Sequence, residues 1–282
     1  MHILRTLPLA ALLLWAGAAS AELSLRLDPE VDDPGTHGKA ARFGHVEGNK
    51  GNGATVQLAL KYGVPFSALQ DNLIYEPYIA LVINDNRATA TDKKKLELGV
   101  NSVLGDITQR SAWLLNASLG TAEDRIVGTH SHEGKASAEL VARWLRWGVG
   151  YTRGQWGLYL RPQVGAYWLR TLRTDDAAKA PVGTAAGLSA EVGADLFLPF
   201  ADRLRITASA RYAKDAHASG GRTRDSYEKA TIGAEYAFYD PKNPPKGKTL
   251  LSLIVERSIG RDVLSTSTEK KAMTGIFLGV KL

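Results

Sequence analysis

The chain has 282 residues, 44% of them hydrophobic and 23% charged, with a formal net charge of +6 at pH 7 and no cysteine. The lack of Cys excludes a disulfide scaffold, thiolate zinc sites and cysteine nucleophiles together. After residue 21 no apolar run approaches the ~20 residues that a membrane helix needs, which excludes a helical membrane protein.

Residues 1–21 read as a targeting segment. Arg5 supplies a positive charge, Leu7–Ala19 an apolar stretch, and Ala19-Ser20-Ala21 an A-x-A cleavage site. A secretory signal peptide is therefore expected at 1–21, with one domain over 22–282. Export makes nucleic acid an improbable partner for the basic chain, so none is expected.

From Leu23 onward one pattern recurs. Apolar and polar residues alternate over about ten positions and then give way to turn-forming or charged residues. A period of 2 sends successive side chains to opposite faces of a strand. Leu23, Leu25 and Leu27 oppose Ser24, Arg26 and Asp28. Trp113, Leu115, Ala117 and Leu119 share a face, as do Leu158, Leu160, Val164 and Trp168. Leu188, Ala190, Val192 and Ala194 oppose Ser189, Glu191, Gly193 and Asp195. Leu204, Ile206, Ala208 and Ala210 oppose Arg203, Arg205, Thr207, Ser209 and Arg211. Near Arg146 the phase slips, which a β-bulge would explain. Twelve strands are predicted, near 22–28, 54–62, 73–84, 94–104, 110–120, 135–150, 156–170, 184–199, 203–213, 227–239, 248–258 and 273–282.

The predicted connections alternate in length. Those at 151–155, 200–202 and 240–247 are short, whereas 121–134, 171–183, 214–226 and 259–272 are longer and polar. Residues 29–53 are predicted to be the longest loop, able to fold inward as a plug. Aromatic residues gather at predicted strand ends. Trp113, Trp147, Trp156, Phe200, Tyr236 and Phe238 fall at one side, and Trp168, Tyr212 and Tyr227 at the other. Two interfacial girdles of this kind, an even strand number and unequal connections describe a membrane-spanning barrel. The expected fold is all-β: a single transmembrane antiparallel β-barrel of 12 strands, with short periplasmic turns and longer extracellular loops.

The last segment is the clearest strand. Ile276, Leu278, Val280 and Leu282 alternate to the final residue given. It resembles the closing strand of bacterial outer-membrane β-barrel proteins of the small, porin-like channel type, with Leu282 where Phe is most usual. The resemblance implies a Gram-negative outer membrane as location. It also implies periplasmic chaperones and the outer-membrane assembly machinery as partners, alongside outer-membrane lipid and lipopolysaccharide.

If the polar faces line the lumen, basic and acidic residues nearly balance there. Arg143, Arg161, Arg203, Arg205 and Arg211 form a cationic ladder, with Glu139, Glu191 and Asp195 on neighbouring strands. Two readings stand side by side. Guanidinium groups attract carboxylates and phosphates, which gives a passive channel for small anionic or zwitterionic solutes. Alternatively, cross-strand Arg–carboxylate pairs stiffen and fill the barrel, which gives a plugged structural or assembly barrel. An enzymatic reading rests on His130-Ser131-His132-Glu133, placed in the predicted loop 121–134, where Glu133 could orient a histidine for chemistry on lipid or lipopolysaccharide. His130 and His132 are also weak candidates for a metal site. No phosphate-binding glycine loop or zinc-protease motif is present, and no cofactor is expected.

Overall fold

The structure is a computed structural model. It describes residues 24–28, 41–48, 51–63, 66–67, 73–86, 91–106, 111–148, 156–241, 243, 245, 249–262, 264 and 270–281. The expected signal segment 1–21 lies outside these residues. The strands are β1 (Ser24–Asp28), β2 (Ala41–Gly48), β3 (Gly51–Gly63), β4 (Phe66–Ser67), β5 (Leu73–Asn86), β6 (Thr91–Asp106), β7 (Ser111–Asp124), β8 (Thr129–Ala142), β9 (Arg146–Gly148), β10 (Gly157–Arg173), β11 (Gly183–Leu198), β12 (Ala201–Gly220), β13 (Ser226–Ala237), β14 (Leu250–Gly260) and β15 (Lys271–Lys281).

Twelve of them form a closed antiparallel wall, in the order β2-β3-β5-β6-β7-β8-β10-β11-β12-β13-β14-β15. The ring closes where β15 pairs with β2, from Met273 opposite Gly48 to Val280 opposite Ala41. Closure leaves no long unpaired sheet edge. The end where β1 begins and β15 finishes is called the terminal end here, and the opposite one the loop end.

Burial is inverted relative to a soluble barrel. The outer face exposes Leu188 and Leu119 at 67% and 66%, along with Ile232, Ile276, Val164 and Leu98. The inner face buries Glu97, Glu133 and Asp195 to 1% exposure. Large apolar side chains turned outward around the whole circumference, with charge inside, suit a lipid surround and no aqueous one. Trp113, Trp147, Trp156, Phe200, Tyr236 and Phe238 are all exposed at the terminal end, as the girdle requires. The chain is thus an outer-membrane-type β-barrel.

Several expectations are corrected. The first wall position is filled by two strands set end to end. β1 pairs with one half of β3, Ser24 opposite Gly63 to Asp28 opposite Ala59. β2 pairs with the other half, Arg42 opposite Gln57 to Gly48 opposite Gly51. Residues 41–48 and 51–53, expected in a loop or plug, are therefore wall; residues 29–40 lie outside the described residues. The predicted loop 121–134 is mostly strand. Its turn is only Arg125–Gly128, because the Asp124 carboxylate accepts the amides of Ile126 and Val127 at 3.0 and 3.4 Å and Gly128 takes a φ of +63°. β12 likewise runs on to Gly220. The phase slip near Arg146 comes from a 3-10 turn at Arg143–Leu145, after which β9 re-pairs with β10. Tyr227, expected in the girdle, turns inward and is buried.

Candidate functional site in the barrel lumen

Two sectors of the inner wall carry charge, and they differ in access to water. On β5–β8 the groups are packed. Lys95 forms ion pairs with Glu97 and, at 3.5 Å, with Glu133; Lys93 also bonds Glu133. The Tyr78 hydroxyl donates to Glu97 at 2.7 Å and accepts from the Asn116 amide at 3.1 Å; that amide also donates to Asn101 at 2.7 Å. Lys95 reaches Glu133 by passing over β7 at Gly120. A Cβ there would lie 2.8 Å from Lys95 Cε and 2.7 Å from the Leu96 carbonyl. Only glycine leaves that path open.

Elsewhere on the wall the Arg211 and Arg205 pairs stay partly wet, whereas the carboxylates around Arg161 are buried. Arg211 Nε donates to Glu191 at 2.6 Å, with the two side chains 25% and 19% accessible. Arg205 bonds Glu235 on β13. Arg161 lies between two carboxylates, Asp195 at 3.2 Å and Glu139 at 3.8 Å. Arg42 reaches Glu256 at 2.7 Å and stacks over the Phe277 ring at 5.5 Å. Register explains the partners. Arg211 sits opposite Glu191 on β11, whereas Arg205 sits opposite Phe197 on that side and Glu235 on the other.

The predicted ladder is therefore divided. Arg161, Arg205 and Arg211 are drawn into pairs. Arg203 is exposed at the terminal end, with a long 3.5 Å contact to the Phe238 carbonyl. Arg143 leaves the strand altogether and is exposed in the 3-10 turn.

A feature the sequence reading missed narrows the loop end. After Gly260 the described residues Arg261, Asp262 and Leu264 lie across the mouth. Asp262 bridges Lys229 at 3.1 Å and Arg211 at 3.5 Å. Leu264 packs on Tyr167 and Tyr227, and its carbonyl accepts from Lys93 at 3.2 Å. Lys93 is on β6 and Lys229 on β13, half a ring apart. Burial would raise the Asp262 pKa, but the charges of Lys229 and Arg211 prevail and hold it well below the usual carboxylate range. Arg261 anchors the same segment. It bonds Asp225 and lies over the Tyr227 ring at 4.4 Å. The base of the anchor is Asp215, which accepts from Tyr167 at 2.7 Å, Tyr227 at 3.1 Å and the Asp225 amide at 3.0 Å. The only sequence signal was the adjacent Arg261-Asp262 after a glycine, which any polar loop could carry.

The His130–Glu133 cluster is split by the strand. His130 and His132 point outward and are exposed, with ring centroids 5.9 Å apart. Ser131 and Glu133 point into the lumen at 1% exposure. Glu133 holds lysines and cannot orient either imidazole, so the enzymatic arrangement loses its carboxylate and its serine together. Among the described residues no three His, Asp or Glu side chains converge as a metal site.

No protein-family model matches the chain, and no curated protein matches it. Solved structures with similar chain paths include the translocator domain of the autotransporter NalP from Neisseria meningitidis, at 13% identity, TM-score 0.40, covering 98% of this chain and 93% of that one. A loop-deletion variant of OmpT from Vibrio cholerae gives 7%, 0.41, 93% and 99%. An anion-selective porin from Comamonas acidovorans gives 9%, 0.37, 93% and 100%.

Proposed function

We propose that the protein is a passive outer-membrane channel with a narrow, charge-balanced lumen for small zwitterionic or anionic solutes. One observation carries this reading. The guanidinium–carboxylate pairs on β11–β13 face inward yet stay 17% to 25% accessible. Charged side chains inside a closed barrel meet solvent only where the lumen holds water beside them. A zwitterion passing there finds a cation and a carboxylate within one step, which favours solutes that carry both signs. Paired charge also predicts weak selectivity between simple ions.

The test is conductance of the refolded protein in a planar bilayer under a salt gradient. Small ohmic steps with a weakly anion-favouring reversal potential are expected. Replacing Arg203, Arg205 and Arg211 together by Ala deprives Glu191 and Glu235 of their guanidinium partners, so selectivity should turn toward cations. Silence from a folded barrel would overturn the channel and leave the structural barrel, with Arg261, Asp262 and Leu264 closing the mouth.

A further inference from the structure

The histidines that the lumen does not use lie on the outside of the wall, at a definite height. Trp168 on β10 is opposite Gly134 on β8, where a Cβ built on that glycine would lie 3.5 Å from the Trp168 ring on the lipid side. Two residues further toward the loop end, Arg170 is opposite His132, and both are exposed. A tryptophan at the loop-end boundary marks the membrane interface. Two strand residues beyond it, roughly 5 Å along the normal for a tilted strand, is the level of lipid headgroup phosphates.

The surroundings of this pair are mostly cationic and hydroxylic. Thr121 flanks His132 on β7, and Thr184 flanks Arg170 on β11. His130 lies beside His132, opposite Glu123, which is itself opposite Lys94. Arg173 is near His130 but is paired with Asp175 at 3.4 Å. Directly below, Leu119 and Val164 are 66% and 58% exposed toward lipid. A cationic fork above an acyl-facing apolar surface matches a molecule with a phosphate head and hydrocarbon chains.

We infer that His132 and Arg170, with His130 beside them, form a binding site on the barrel exterior for the phosphate of a glycolipid of the lipid A type in the leaflet at the loop end. Arg170 offers the bidentate fork that suits phosphate, and directly opposed strand residues place the two side chains about 5 Å apart, close enough to share one phosphate. Chains of the same lipid lie along Leu119 and Val164. The site stands on the exterior alone and does not depend on whether the lumen conducts.

The experiment loads the purified, refolded barrel with bisphosphorylated lipid A, with dephosphorylated lipid A, or with bisphosphorylated lipid A plus millimolar inorganic phosphate. Retained lipid is counted by native mass spectrometry. The wild type should retain the bisphosphorylated lipid and release the dephosphorylated one. A double variant, His132→Ala with Arg170→Ala, should retain it at least about tenfold more weakly, the worth of one charge-assisted contact. Arg257→Ala, on the outer face of distant β14, should retain it like wild type. These three side chains are exposed, so truncation removes no packing, and unchanged heat-modifiable mobility checks the fold. Equal retention of both lipids, equal retention by the double variant, or displacement by inorganic phosphate would each overturn the assignment.

Discussion

The two charged sectors of the lumen use similar chemistry for opposite ends. On β5–β8, Lys95, Glu97, Glu133, Asn101 and Asn116 are all under 9% exposed, and their polar groups bond one another. On β11–β13 the Arg211–Glu191 and Arg205–Glu235 pairs remain in contact with solvent. The packed sector fills one side of the barrel and fixes its shape. The wet sector borders what space is left. A twelve-stranded barrel falls between eight-stranded ones filled by side chains and wide aqueous pores, and here the filling is lopsided. An inward charge therefore says little about transport until its access to water is known.

The sharpest way to break the contrast is to remove one carboxylate from each sector. Glu133→Gln leaves the buried Lys95 and the half-buried Lys93 with fewer counter-charges, and unfolding free energy in lipid should fall by about 3 kcal/mol. Glu191→Gln, beside a wetter guanidinium, should cost no more than ~1 kcal/mol. Urea titrations followed by tryptophan fluorescence compare the two, and equal losses would dissolve the distinction.

Gly120→Val tests the path that Lys95 takes. Its Cβ would meet a backbone carbonyl at 2.7 Å as well as the lysine, so a loss of about 2 kcal/mol is expected by the same titration. Tyr167→Phe, which removes one of three donors to Asp215, should cost about 1 kcal/mol and loosen the mouth.

The mouth itself gives the smallest effects. Asp262→Asn should release the segment from Lys229 and Arg211 and raise single-channel conductance, by less than about twofold, since Leu264 and Arg261 still hold it. Because the Asp262 carboxyl is held below its ordinary range, its contribution is present above about pH 4 and is lost only as pH falls through the lowered native value. Asp225, where burial is outweighed by the Arg261 hydrogen bond, behaves the same way. Acidification from about pH 7 to about pH 5 should therefore leave the conductance of the mouth unchanged. A step in that window would contradict the anchoring by these two carboxylates.

Much of the wall was legible in the residue order. Alternation is a local property, because each strand residue faces opposite to its neighbour whatever strand lies beside it. Alternation put Leu158, Leu160 and Val164 on one face and Arg161, Glu191 and Asp195 on the other before any pairing was known, and the aromatic strand ends with the densely charged polar face turned the apolar one outward. The terminal-end girdle followed from the same logic. Strand ends were less legible, since the Asp124 turn and the two-part position of β1 and β2 depend on contacts with other strands. The lumen site was legible only as a list of charges. Glu191 meets Arg211 as its hairpin allows, but Asp195 turns to Arg161 and Arg205 to Glu235. Each choice is made by the register between strands and by closure of the ring, which are properties of the whole barrel. The placement of Asp262 and Leu264 was decided in the same way, by charges half a ring apart that no local pattern brings together.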